Sequence, residues 1–228
     1  MMSAIEHRTY WITPGRIEAY LDAYGGHGYA IQKRYLGDCC VGSYLTEFGV
    51  VPEMTMLWRF AGLDERMARK AENDRDGDWQ RLMVSGLAPN VDKIVTKALT
   101  PAPWWTAEDA RGAGAGGARF AHVEQRSYTM RPAGMAGWIA AYGERGFALE
   151  RRHLGDTCVG SYVSQIGTIQ EVTTLWGFSS ADDRARRRRA LEADPGWREL
   201  AAEALATAIE RLTVKLMTPT PYWRADRG

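Results

Sequence analysis

The chain has 228 residues, 45% of them hydrophobic and 25% charged, with a formal net charge of +1. That balance fits a folded chain and argues against a dedicated nucleic-acid surface, which needs a concentrated excess of Lys and Arg. No stretch approaches the roughly eighteen apolar residues of a membrane span, and residues 1–9 lack the apolar core of a signal peptide, so a cytoplasmic protein is expected.

Residues 5–11 alternate in type and carry β-branched and aromatic side chains, which predicts a strand ending before Pro14. Ile17, Tyr20, Leu21 and Tyr24 then follow helical spacing, with Gly25-Gly26 as the expected stop. Residues 29–36 and 40–48, on either side of Gly37-Asp38, read as two strands around a tight turn. Residues 53–60 read as a further strand, after a break marked by Gly49 and Pro52. Residues 63–73, polar and charged with Met67 and little else apolar, predict a mostly exposed helix, and Asp78 is the expected cap of a second helix reaching Leu87. Residues 91–100 close the unit as a strand. Cys39, Cys40 and Cys158 suit neither a disulfide framework nor a metal cluster, and read as reduced thiols.

All of this recurs after a constant shift of 118 residues: Glu6, Arg8 and Tyr10 return as Glu124, Arg126 and Tyr128, and Cys40-Val41-Gly42-Ser43-Tyr44 as Cys158-Val159-Gly160-Ser161-Tyr162. Roughly a third of the aligned positions are identical, which makes the chain a tandem duplication. The expected modules are residues 1–105 and 120–228, with a Gly/Ala linker at 106–119. Each mixes strands and helices in a way that favours helices on one face of an antiparallel sheet. The other face still needs a cover, and the second copy supplies it. The predicted fold is therefore α+β, with two modules packed sheet to sheet as a pseudo-dimeric α/β barrel; a further homodimer is left open.

The motifs Glu6-x-Arg8-x-Tyr10, Gly42-Ser43-Tyr44 running to Glu47-x-Gly49, and Leu57-Trp58-x-Phe60 followed by Arg66 and Arg69 resemble the NIPSNAP family. The resemblance continues through Trp79 and Lys97 to Pro101 and Pro103, nearly the whole of each half. It implies ferredoxin-like modules of the dimeric α/β-barrel superfamily, which includes cofactor-independent monooxygenases, muconolactone-type isomerases, polyketide cyclases and haem-binding proteins. The chain departs from the pattern at Pro52 and Gln170, where an Asn is expected, and at Gln165, which stands where the first half has Glu47.

Strand alternation puts Glu6, Arg8 and Tyr10 on one face and Ile5, His7, Thr9 and Trp11 on the other. The mixed polar faces, including Glu53, Thr55, Leu57, Arg59 and Lys97, are expected to point between the two sheets, where such charges must be paired. Arg8, Tyr10, Tyr44 and Arg59, with Arg126, Tyr128 and Tyr162, are the candidate ligand-binding residues. Ionisable residues private to one half are candidates for a specialised role. Among them His153 (Tyr35 in the first half) and Glu47 are the acid/base candidates. Gly177, opposite Arg59, reads either as room for a ligand or as drift, and the basic run at 184–189 reads as a solvated helix face.

No phosphate loop, metal motif, nucleophile elbow or Cys/His pair occurs, so no metal or cofactor is expected. The expected function is binding of a small hydrophobic or aromatic molecule, as a cofactor-independent enzyme of monooxygenase, isomerase or cyclase type. The alternatives are a haem-binding barrel and a non-catalytic interaction module; neither nucleic acid nor membrane is an expected partner.

Overall fold

A computed structural model describes residues 3–106 and 116–227. Eight strands, β1 (Ala4–Ile12), β2 (Cys40–Phe48), β3 (Glu53–Phe60), β4 (Val91–Pro101), β5 (His122–Met130), β6 (Cys158–Ile166), β7 (Glu171–Phe178) and β8 (Ile209–Pro219), close into a barrel in the order β1-β3-β2-β8-β5-β7-β6-β4. Every neighbouring pair is antiparallel. Each half thus supplies a ferredoxin-like sheet, β4-β1-β3-β2 or β8-β5-β7-β6, and the two meet at short β2–β8 and β4–β6 seams. The second sheet covers the first, as the duplication predicts. The linker expected at 106–119 lies mostly outside the described residues; its end, Gly116–Arg119, is a short 3-10 turn whose first three residues are buried.

One predicted strand is a helix. Helix α1 (Ile17–Ala23) does not stop at Gly25-Gly26 but passes through a π turn, Tyr24–Gly28, into α2 (Tyr29–Leu36). Tyr29, Gln32 and Leu36, all buried, share the inner face at helical spacing. The helix ends at Gly37, whose φ of 85° only glycine adopts freely. Gly25 serves close packing instead, since a Cβ there would lie 2.9 Å from the Tyr222 ring. After β3 come α3 (Leu63–Arg75), α4 (Gly77–Leu82) and a second π turn, Met83–Leu87. The cap of α4 is Asp76, which accepts from the Trp79 N–H at 2.8 Å, rather than Asp78. The second half repeats the plan as α5 (Met135–Ala141), a π turn, α6 (Phe147–Leu154), α7 (Ala181–Ala193), α8 (Pro195–Leu200), another π turn, α9 (Ala206–Ala208) and, after β8, α10 (Pro221–Arg227).

The register decides which face is which. Tyr10 lies opposite Met54, Arg8 opposite Met56 and Glu6 opposite Trp58, and Arg66 of α3 reaches Glu6. The Glu6-Arg8-Tyr10 face therefore lies under the helices, not between the sheets as expected. Its charges are buried there because a helix supplies their partners. The interior carries the alternate set, with His7 opposite Leu57, Thr9 opposite Thr55 and Trp11 opposite Glu53. At the barrel centre His7 Nε2 meets Gln125 Oε1 at 3.1 Å, each the repeat counterpart of the other. Two reciprocal ion pairs tie the halves across the seams, Lys97–Glu171 at 2.7 Å and Lys215–Glu53 at 2.5 Å. Burial pushes His7 down to about pH 3, with the Lys215 charge adding to the shift, so the imidazole is neutral.

Each half also finishes the other's helical layer. Trp104, after β4, packs on Tyr142 at 4.8 Å and donates to Ser161 at 2.8 Å. Tyr222, after β8, packs on Tyr24 at 5.3 Å and shares a hydrogen bond with Ser43 at 2.7 Å.

Candidate functional site

Between the β1/β4 side of the first sheet and its helices lies a cavity of about 680 Å³. Tyr10 rises from β1, Tyr20 from α1 and Tyr24 from the π turn, while Trp79, Met83, Val84 and Leu87 come from α4 and the turn after it. Helical spacing delivers the tyrosines as a stack, with Tyr20 and Tyr24 rings 5.9 Å apart and nearly parallel. Val84 and Ile94, both exposed, stand at the mouth, and the size and aromatic walls are those of a small-molecule pocket.

The polar end holds Arg8, Arg66 and Gln32. Arg8 donates through Nη2 to Glu6 at 2.5 Å, and Arg66 gives Glu6 its Nε at 2.9 Å. Burial acts to raise the Glu6 pKa, but the two guanidiniums outweigh it and hold the carboxyl below its ordinary value. Burial likewise pushes Tyr20 and Tyr24 well up, so both remain protonated donors. Lys70 is turned outward to Asp74.

The matching place in the second half holds buried charged side chains. Glu150 replaces Gln32, Arg188 replaces Lys70 and Trp138 replaces Tyr20. Arg188, 4% exposed at its side chain, donates to Glu150 at 2.7 Å and lies 2.6 Å from Glu124, although that second contact is an ion pair without hydrogen-bond alignment. Tyr142 donates to Glu150, Arg126 donates to Glu124 at 2.7 Å, and Arg184 pairs with Glu124. The basic run at 184–189 is thus not wholly a solvated face, since Arg184 and Arg188, one helical turn apart, point inward.

Of the residues singled out from sequence, Arg8 and Tyr10 line the cavity, and Arg126 and Tyr128 lie at the equivalent place. Tyr44 and Tyr162 belong to the barrel interior, opposite Thr55 and Thr173, and Arg59 stands near enough to act on the Tyr162 hydroxyl. His153 Nε2 contacts Asp194 at 2.8 Å, repeating the Tyr35–Asp76 hydrogen bond of the first half, which is 2.6 Å long. Glu47, 41% exposed, lies 3.3 Å from His122 of the other half. Neither acid/base candidate lines the cavity. Gly177 opens no room, because Phe120 lies over it. Gln32 and its counterpart Glu150 escaped notice because their segment reads as a strand. Among the described residues no His/Cys/Asp/Glu group could hold a metal ion, and no helix is long and apolar enough to cross a membrane.

Residues 5–105 and 123–224 each match the NIPSNAP family. A NipSnap protein of Caenorhabditis elegans is 25% identical over 231 residues, which are 95% of this chain and 40% of that protein. NipSnap homolog 3B of Mus musculus is 25% identical over 199 residues, 83% of this chain and 73% of its own. The chain thus spans less than half of the first relative's length. Among solved structures, a NIPSNAP-like domain protein from Burkholderia xenovorans is 33% identical, covering 44% of this chain and 85% of its own at a TM-score of 0.42. A Lactobacillus acidophilus protein named as a monooxygenase matches 96% of this chain and 94% of its own at a TM-score of 0.61, with 10% identity. A structure named as chlorite dismutase TA0507 covers 99% of both chains at 0.60 and 12%. These two likenesses are of fold alone.

Proposed function

The chain belongs to the NIPSNAP family, and from that premise we propose that it binds a small hydrophobic or aromatic molecule in the cavity of its first half. The observation that carries this reading is the asymmetry of the duplication: one helix-facing side holds a cavity of about 680 Å³, and at the counterpart place Arg188, Glu150 and Trp138 stand buried, the first two as an ion pair. A cavity lined by buried aromatic rings with a few donors at one end suits a flat apolar ligand with one polar substituent.

The chemistry proposed for it is cofactor-independent transformation of that ligand, of the isomerase, cyclase or monooxygenase kind. Arg8 would stabilise an oxyanion developing on the substrate, and Tyr20 would orient it as a neutral donor. His153 and Glu47 have no part in this version, since both are engaged elsewhere. The haem alternative has less support, because His7, His27, His122 and His153 are all absent from the cavity wall.

The test is to fill the space. Leu87→Trp is expected to abolish binding of naphthalene-type fluorescent probes while leaving the unfolding midpoint within a few degrees of wild type. Unchanged probe binding in a folded variant would remove the cavity from consideration.

A further inference from the structure

The polar end of the cavity leaves one positive charge and several donors unspent. Glu6 is shared by Arg8 and Arg66, Lys70 pairs with Asp74, Lys93 lies over the Trp11 ring and Asp92 accepts from Thr13, so four cations stand against three anions around the cavity. Gln32 is 1% exposed; its Oε1 accepts from the Tyr24 hydroxyl at 2.6 Å, and its Nε2 has no acceptor among the described residues although the side chain lines the cavity. The Tyr20 hydroxyl likewise has no hydrogen-bond partner among them. Both donors border the open cavity, so beside a guanidinium they offer hydrogen bonds that an acceptor bound in the cavity can take up.

The second half contains that acceptor. Where the first has the Gln32 amide, Glu150 presents a carboxylate, clasped by the Tyr142 hydroxyl and by Arg188 at 2.7 Å. Its neighbour Glu124 is held by Arg126 and Arg184 just as Glu6 is held by Arg8 and Arg66. Among the charged and amide residues behind the tyrosines, the halves thus differ by one carboxylate and by the residue that closes on it.

Building on the proposed reading of the cavity, we infer that the ligand of the first half is a monoanion, a ring-bearing carboxylate, enolate or phenolate whose oxygen sits against Arg8, the Gln32 amide and the Tyr20 hydroxyl. Glu150 is the tethered substitute that closes the second half to the same ligand. The aromatic walls take the rings, and the surplus cation favours the ionised form of a weakly acidic group, which would make an enol or phenol more nucleophilic once bound.

Two probes that share their rings and differ in charge test this with the full chain. 8-Anilinonaphthalene-1-sulfonate is an anion, and N-phenyl-1-naphthylamine is the same skeleton without the sulfonate. The anion is expected to bind at one site per chain and at least about tenfold tighter than the neutral probe. Gln32→Glu, which installs the carboxylate of the second half, should weaken the anion at least about tenfold while leaving the neutral probe within about twofold. Should Gln32→Glu unfold the protein, Gln32→Met removes the amide without adding charge and is expected to cost about fivefold for the anion alone. Equal affinity for the two probes, or anion binding indifferent to both Gln32 variants, overturns the charge assignment and leaves the cavity reading standing. Binding of neither probe, or binding untouched by Leu87→Trp, overturns the cavity reading and the inference with it.

Discussion

The helix-facing sides of the two halves start from the same Glu-x-Arg-x-Tyr strand and end in opposite conditions. In the first, Lys70 leans out to Asp74 and the space behind it stays open. In the second, the longer, forked Arg188 turns in, bridges Glu124 and Glu150, and lies beneath the same kind of helix pair that roofs the cavity. Guanidinium can satisfy two carboxylates at once where an ammonium is a single point charge, so a Lys-to-Arg change combined with Gln-to-Glu converts a binding space into a structural one. The two ion pairs of the inner barrel wall show no such divergence, because each takes one residue from each half and the two are repeats of one another.

Arg188→Met should break the comparison most severely. It leaves the fully buried Glu150 with only the Tyr142 hydroxyl and takes one of three guanidiniums from Glu124, and is expected to lower stability by about 3–5 kcal/mol in urea unfolding. Lys70→Met, at the same position of the first half but 29% exposed, should cost less than about 1 kcal/mol. Equal losses would mean that the two helical layers are not energetically different. The reverse exchange sharpens the comparison. Glu150→Gln with Arg188→Lys and Trp138→Tyr restores the first-half set, and probe stoichiometry should rise from one to two sites per chain.

A smaller effect comes from the shared interior. The folded-state pKa of His7 lies near 3, below its unfolded value of about 6.5. The stability it contributes is therefore complete above pH 6.5 and is lost as pH falls from there toward 3. Between pH 6.5 and 5 that loss is about 2 kcal/mol, and His7→Gln, which copies Gln125, should flatten the curve in this window. The smallest effect is expected at His153. Replacing it with Tyr, the residue of the first half, keeps a contact to Asp194 and should change stability by less than about 1 kcal/mol, with no change in probe affinity.

Four of the five strands expected in each half were readable from alternation and flanking turn residues, and closure of the barrel followed from the uncovered sheet face. Helix α2 was not readable, since Gly25-Gly26 imitates a stop, while the π turn that carries the helix through is specified by the close approach of Tyr222 from the distant C-terminal tail. That single misreading hid Gln32 and Glu150. Alternation grouped Glu6, Arg8 and Tyr10 correctly but could not say which face met the helices, because Arg66, which neutralises Glu6, lies sixty residues away. Between the halves, the ionisable singletons His153 and Glu47 are conspicuous. A Gln facing a Glu and a Lys facing an Arg are not.

The crossed tails carry a consequence for mass action. With Trp104 seated on the second half and Tyr222 on the first, neither half completes its own helical layer, so two separate chains of this kind could hold the barrel together only above their dissociation constant. Joined in one polypeptide, each meets the other at an effective concentration of about millimolar however dilute the protein becomes. One binding space can then be given up without any copy of the assembly losing both.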